Sequence, residues 1–101
     1  ELVQCPIERP DEFHTYHVYV IQSNRRDELL KFLHGREIDA KIHYPIPIHL
    51  QRAAASLGYG PGSLPVTELQ SKRILSLPVN QFLTDDQVDF VSESIREVFR
   101  S

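Results

Sequence analysis

A chain of 101 residues, 41% hydrophobic and 25% charged, with a formal net charge of −3, has the make-up of one small globular domain and little room for a separate cofactor domain. That balance argues neither for a basic nucleic-acid footprint nor for an acidic disordered tail. A lone Cys5, no apolar run approaching the roughly 20 residues that span a bilayer, and an opening ELVQCPIERPDEF without a signal pattern fit a reducing, cytoplasmic compartment, and a start at Glu1 instead of Met is what an excised piece shows, and what processing also produces.

Pro6 and Pro10, set among charges, make residues 1–12 read as a linker into a domain over residues 13–101. Residues 15–21 are rich in β-branched and aromatic side chains and predict a strand, with Tyr16, Val18 and Val20 on one face and His17, Tyr19 and Ile21 on the other. Both faces are apolar enough to need covering. A chain this short is expected to lack one cover, so that His17, Tyr19 and Ile21 form an exposed patch or are hidden by self-association. Asn24 predicts a helix cap, Leu29, Leu30, Phe32 and Leu33 an apolar stripe, and Gly35 a left-handed stop, for a helix over residues 25–34.

Residues 38–43 predict a second strand, ended by Pro45 and Pro47. Residues 50–57 are alanine-rich enough for a short helix, Gly58-Tyr59-Gly60-Pro61-Gly62 reads as a loop, and Pro65 opens a helix that Glu68, Leu69 and Lys72 continue. Ile74–Leu77 predicts a third strand before Pro78. Thr84 with Gln87 forms a capping box, Leu83 with Val88 a hydrophobic staple, and Val88, Val91, Ile95 and Val98 recur at helical spacing, which predicts a helix over residues 85–99. The order is that of an α+β fold: a sheet of about three strands with helices packed on one face.

Chemistry concentrates in His43-Tyr44-Pro45-Ile46-Pro47-Ile48-His49-Leu50-Gln51, where two imidazoles and a phenol stand around two prolines that forbid regular structure. Groups held on so stiff a loop donate hydrogen bonds with little entropy lost on binding, so His43, Tyr44 and His49 are the candidate binding residues, with Tyr59 of the glycine-rich loop beside them. The structural alternative is that Tyr44 packs on the sheet edge and both histidines cap loop backbone. Zinc is disfavoured: strand alternation sends His14 and His17 to opposite faces, and no cysteine pair accompanies His43 and His49. Cys5 has no base nearby in sequence to activate it. Glu68 and Arg73 read as a solvated flank with a surface ion pair, and Asp85, Asp86 and Glu93 suit the dipole of the last helix.

The segments RDELLKFL, IDAKIHYPIPIHLQ, LGY, LPVTELQSKRILSLPV and LTDDQVDFV, in that order across residues 13–100, resemble the small C-terminal domain of the DegT/StrS family, the pyridoxal-phosphate-dependent aminotransferases of fold type I that act on nucleotide-linked sugars. One departure stands out, since family members commonly place a glycine directly before the isoleucine, whereas here Gly35 precedes Arg36, Glu37 and Ile38. The resemblance implies a parent enzyme that moves an amino group, commonly from glutamate, to a nucleotide-linked keto sugar. It implies pyridoxal phosphate on a large α/β domain of the same polypeptide, whose Schiff-base lysine has no match here, and a homodimer when intact. Lys31, Lys41 and Lys72 read as ordinary solvated lysines. On this reading His43, Tyr44, His49 and Tyr59 contact the nucleotide sugar, no residue of this chain is catalytic or holds cofactor or metal, and the chain alone is inactive. The competing reading is a free-standing, non-catalytic ligand-binding or interaction module, separated from the first by whether the reading frame continues upstream into a large domain. An RNA-binding α+β domain lacks its aromatic-basic strand motif and its positive charge.

Overall fold

A computed structural model describes residues 2–100. Tyr19 and Ile21 of strand β1 (Tyr19–Gln22) stand opposite Leu77 and Leu75 of strand β2 (Ile74–Leu77) in an antiparallel pair. Alternate residues share a face, so these four apolar side chains form one side of the sheet. Helices α1 (Arg26–Gly35) and α3 (Asp85–Arg100) close over that side, and Ile21, Leu29, Leu33, Leu75, Ile95 and Val98 make one core with Ile38 and Ala40. Between α1 and β2 run two 3-10 turns, Ile48–Leu50 and Arg52–Leu57, and the short helix α2 (Pro65–Ser71).

The sheet has two strands where the sequence predicts about three. Of the predicted strand 38–43 only Lys41 pairs, exchanging hydrogen bonds of 3.0 and 2.7 Å with Ser76. In that register Asp39 falls opposite Pro78, which has no N–H to give, so the ladder stops after one bridge. The first strand begins at Tyr19 and not at Thr15, since β2 offers no partner beyond Leu77 and Tyr16 has a left-handed φ of 51°. On the outer edge of β1, Gln22 exchanges two 2.9 Å bonds with Gln4, and Val3 packs against the core, so the sheet draws on residues read as a linker. The expectation of an uncovered His17, Tyr19 and Ile21 face is corrected: Ile21 is 1% exposed beneath the chain's own helices, Tyr19 is half-buried, and His17 precedes the strand.

α1 starts at Arg26, and the oxygen that receives the Arg25 N–H at 3.0 Å belongs to Ser23, not to the predicted cap Asn24. Its end also differs from expectation. Gly35 stays helical and the left-handed position falls on Glu37, with φ 60°, while the Arg36 and Glu37 N–H groups satisfy the Leu33 and His34 carbonyls. The residue that needs glycine's freedom is thus the one directly before Ile38. A Cβ on Gly35 meets nothing within 4 Å. A Gly35→Ala, Glu37→Gly double variant is therefore expected to gain about 1 kcal/mol, read as a higher urea midpoint; an unchanged midpoint refutes the placement.

Residues 50–57 wind as 3-10 turns and not as an α-helix, and Gly58, at φ 84°, ends them. α2 opens at Pro65 as predicted. α3 also follows the sequence: the Thr84 hydroxyl accepts the Gln87 backbone N–H at 3.2 Å and the Gln87 side-chain Oε1 accepts the Thr84 N–H at 3.0 Å. Among the described residues no helix is long and apolar enough to cross a membrane.

Candidate functional site

The second face of the sheet carries the polar site. Ser76 sits on β2 opposite Val20, away from the helical core, and its hydroxyl lies 2.9 Å from Nδ1 of His43. That contact fixes the ring and leaves Nε2 as the nitrogen available to a ligand. A cis peptide joins His43 to Tyr44, whose ring meets the imidazole edge-on, with centroids 5.4 Å apart. Tyr44 is 70% exposed. His43 stands between two grooves: one of about 270 Å³ holds His17, Asp39, Lys41, Ser76 and Asn80, and one of about 230 Å³ holds Tyr44, Ile46, Gln51, Thr67 and Gln70. The first offers hydrogen-bonding groups and an Asp39–Lys41 ion pair to a hydroxylated ligand; the second offers an apolar wall with a phenol at its rim.

His49 does not share this exposure. Its side chain is buried, Nε2 lies 3.2 Å from Oε2 of Glu68, and Nδ1 has no hydrogen-bond partner among the described residues. Glu68 is correspondingly not the solvated flank read from the sequence. Its carboxylate accepts N–H groups from Gly62 at 2.8 Å and Leu64 at 3.0 Å as well as meeting His49, and Arg73 makes no ion pair with it. Leu64, at the cap position of α2, has no side-chain oxygen, and its own N–H is taken by Glu68 one turn on. Tyr59 is 54% exposed on the loop fastened in this way. The structure therefore brings His43 and Tyr44 together, sets Tyr59 on the neighbouring loop, and places His49 underneath as a support.

The Glu68 carboxyl is held below its ordinary value of 4.5, first by the Gly62 N–H and then, against the opposing cost of partial desolvation, by the Leu64 N–H and the His49 imidazole. A carboxyl lowered in the folded chain stabilises it above the unfolded value, and that contribution fades as pH falls through the lowered one. Glu28, bonded to Arg25, and Glu93, bonded to Arg100 and Arg96, are lowered in the same direction and add to the acid limb. Glu68→Gln is expected to make stability fall less steeply with acid below about pH 4.5. Urea midpoints measured along a pH series check this, and parallel curves for variant and parent would contradict it.

A Schiff-base lysine needs a desolvated pocket. Lys31 and Lys72 are exposed, and Lys41, also exposed, pairs with Asp39 at 3.2 Å. These side chains do not fit a pyridoxal phosphate site. Cys5 is exposed, and among the described residues no three His, Cys, Asp or Glu side chains gather for a metal ion. Sequence reasoning overlooked two residues of the site, Ser76 and Glu68. The signal for Ser76 was a single hydroxyl inside the apolar run ILSL.

Comparison with known proteins agrees with this architecture. The sequence model of the DegT/DnrJ/EryC1/StrS aminotransferase family matches residues 1–96. Among curated relatives, a pleiotropic regulatory protein of Geobacillus stearothermophilus is 42% identical over 99% of this chain and 27% of its own length. A dTDP-3-amino-3,4,6-trideoxy-alpha-D-glucose transaminase of Micromonospora megalomicea is 41% identical over 95% of the chain and 26% of its own length. Among solved structures, S. venezuelae DesV in complex with a ketimine intermediate superposes with a TM-score of 0.89 at 37% identity, covering 94% of this chain and 26% of that one. A DegT DnrJ EryC1 StrS aminotransferase from Brucella abortus follows at 0.88 and 34%, over 95% of this chain and 26% of its own. The chain thus spans about a quarter of the length of the relatives it matches. By a match that covers nearly its whole length, the chain belongs to the DegT/DnrJ/EryC1/StrS aminotransferase family.

Proposed function

We propose that this chain is the small C-terminal domain of an aminotransferase that moves an amino group from glutamate to a nucleotide-linked keto sugar, its sheet taking in Val3 and Gln4 ahead of the expected start at residue 13, and that it is inactive by itself. The observation that carries this reading is the His43-Tyr44 loop: a family-matched, proline-stiffened segment that holds an imidazole fixed by Ser76 and an exposed phenol at the meeting of two grooves. A nucleotide sugar presents hydroxyls and diphosphate oxygens, which such donors orient with little entropy lost. In this reading His43 and Tyr44 touch the ligand, Tyr59 closes on it from the next loop, and His49 holds the first loop from below.

Pyridoxal phosphate would supply the amino-group carrier, held by a large domain of the same polypeptide and not by Lys31, Lys41 or Lys72. Ile46, Ile48, Leu57, Val66 and Leu69 are exposed on the 43–69 stretch, and apolar exposure of this kind marks an interface. We assign that interface to the large domain, within a cytoplasmic homodimer. The competing reading, a free-standing module without catalysis, has no observation of its own in its favour.

The test has two parts. This chain, incubated with pyridoxal phosphate and reduced with borohydride, is expected to give no site-selective adduct by mass spectrometry; stoichiometric labelling of Lys31, Lys41 or Lys72 overturns the assignment of the cofactor to another domain. The polypeptide of the full natural reading frame is expected to transfer nitrogen from glutamate to a dTDP-linked keto sugar. A frame that lacks a large domain with a Schiff-base lysine would instead favour the non-catalytic module.

A further inference from the structure

Glu68 joins the two loops carrying the candidate phenols. Oε1 accepts the Gly62 N–H at 2.8 Å, and Oε2 accepts the Leu64 N–H at 3.0 Å and lies 3.2 Å from Nε2 of His49. Around these contacts each loop is already stiff within itself. In the first, Gln51 donates its side-chain amide to the Ile46 carbonyl at 3.2 Å, and the Leu50 N–H bonds to the Pro47 carbonyl at 2.9 Å. In the second, the Gly60 N–H bonds to the Ser63 hydroxyl and the Ser63 N–H to the Gly60 carbonyl, each at 3.0 Å, with Gly62 at a φ of 88° that only glycine takes without strain. Two internally braced loops with a carboxylate between them behave as two plates and a pin. The helix that bears the pin also lines the Tyr44 groove, through Thr67, Gln70 and Ser71.

We propose that Glu68 is a positioning residue for nucleotide-sugar binding: its carboxylate fastens the Tyr59 loop to the Tyr44 loop, so that the two phenols meet the ligand at a fixed separation. This rests on the substrate-facing reading of those loops. Without the carboxylate, both loops keep their own turns but rotate against each other, and the ligand must order them as it binds. The loss falls on binding and not on the chemical step. The lowered proton affinity of the Glu68 carboxyl agrees with a group kept ionised for this purpose.

In the intact enzyme, Glu68→Gln is expected to raise KM for the nucleotide sugar about tenfold while kcat and the KM for the amino donor stay within about twofold. In this chain the same substitution is expected to speed amide hydrogen exchange at Gly62 and Leu64 and to leave Leu29 and Leu33 unchanged. Should Glu68→Gln fold poorly, His49→Leu, which has no donor, removes one of the three contacts and is expected to shift sugar KM in the same direction by a smaller factor. Tyr44→Phe and Tyr59→Phe read the site itself. If neither moves the sugar KM, the substrate-facing reading falls and the positioning role with it; if either does while Glu68→Gln and His49→Leu leave it unchanged, the positioning role falls alone. Exchange that speeds equally at Leu29 and Leu33 makes Glu68 a general fold residue and likewise overturns the proposal.

Discussion

Leu33→Ala is expected to lower the stability of this chain by about 3 kcal/mol. Leu33 has no exposed surface and lies in the third turn of α1, in the core with Leu29, Leu75, Ile95 and Val98. Shortening it removes the transfer energy of the buried methyl groups and leaves a cavity between two helices and a two-stranded sheet, with no second core to take up the loss. Against a net stability of about 5–15 kcal/mol for a domain, the change is large. Urea unfolding measures it, with Leu57→Ala, on a surface 3-10 turn, as the control expected to stay within about 0.5 kcal/mol. A loss at Leu33 no larger than the control's would mean that α1 is not seated on the sheet as described.

The second large effect lies at a charge. The side chain of Arg26 is nearly buried, and its Nη1 donates to the Ser71 carbonyl at 3.0 Å and the Ile74 carbonyl at 3.1 Å, while Nε meets Asp27 at 2.5 Å. The guanidinium therefore joins the start of α1 to the end of α2 and the first residue of β2. Arg26→Met keeps most of the apolar stem but leaves two carbonyls without their donor, and acceptors left unsatisfied in the interior cost more than an ordinary hydrogen bond contributes. A destabilisation of about 2–3 kcal/mol follows, or about 10–20 °C in Tm for a domain of this size. A melting point within a few degrees of the parent would show that water serves those carbonyls as well as the guanidinium does.

The Arg26 contacts show where sequence reading stops. The two carbonyls that side chain holds are 45 and 48 residues away along the chain. Features whose parts are close in sequence were legible: the Thr84–Gln87 capping box placed the start of α3, and Pro78 placed the end of β2. The predicted strand 38–43 has suitable residues throughout, yet a strand is a property of a pair, and the proline that shortened this one belongs to its partner. Gly35 drew the helix stop to itself because glycine is the usual left-handed residue, but the backbone required that conformation at Glu37, which has no such preference. In the site, two prolines announced the His43-Tyr44 loop. What holds it was not legible, because Ser76 is 33 residues from His43 and Glu68 is 19 from His49.

The narrowness of the sheet has a bearing on how the chain behaves in a crowded solution. Open strand edges are templates on which a stray chain can lengthen a ladder, and from there a fibre. On the outer edge of β2, Lys41 takes both backbone groups of Ser76, Arg26 takes the Ile74 carbonyl, and Pro78 has no donor to offer. On the outer edge of β1, Gln4 takes both groups of Gln22. Little of either edge is left at which another backbone could register with this sheet, with Val20 on β1 the main opening. Copies that stick to one another will do so through side chains such as Ile46, Ile48 and Val66, and such clusters dissolve on dilution as fibrils do not.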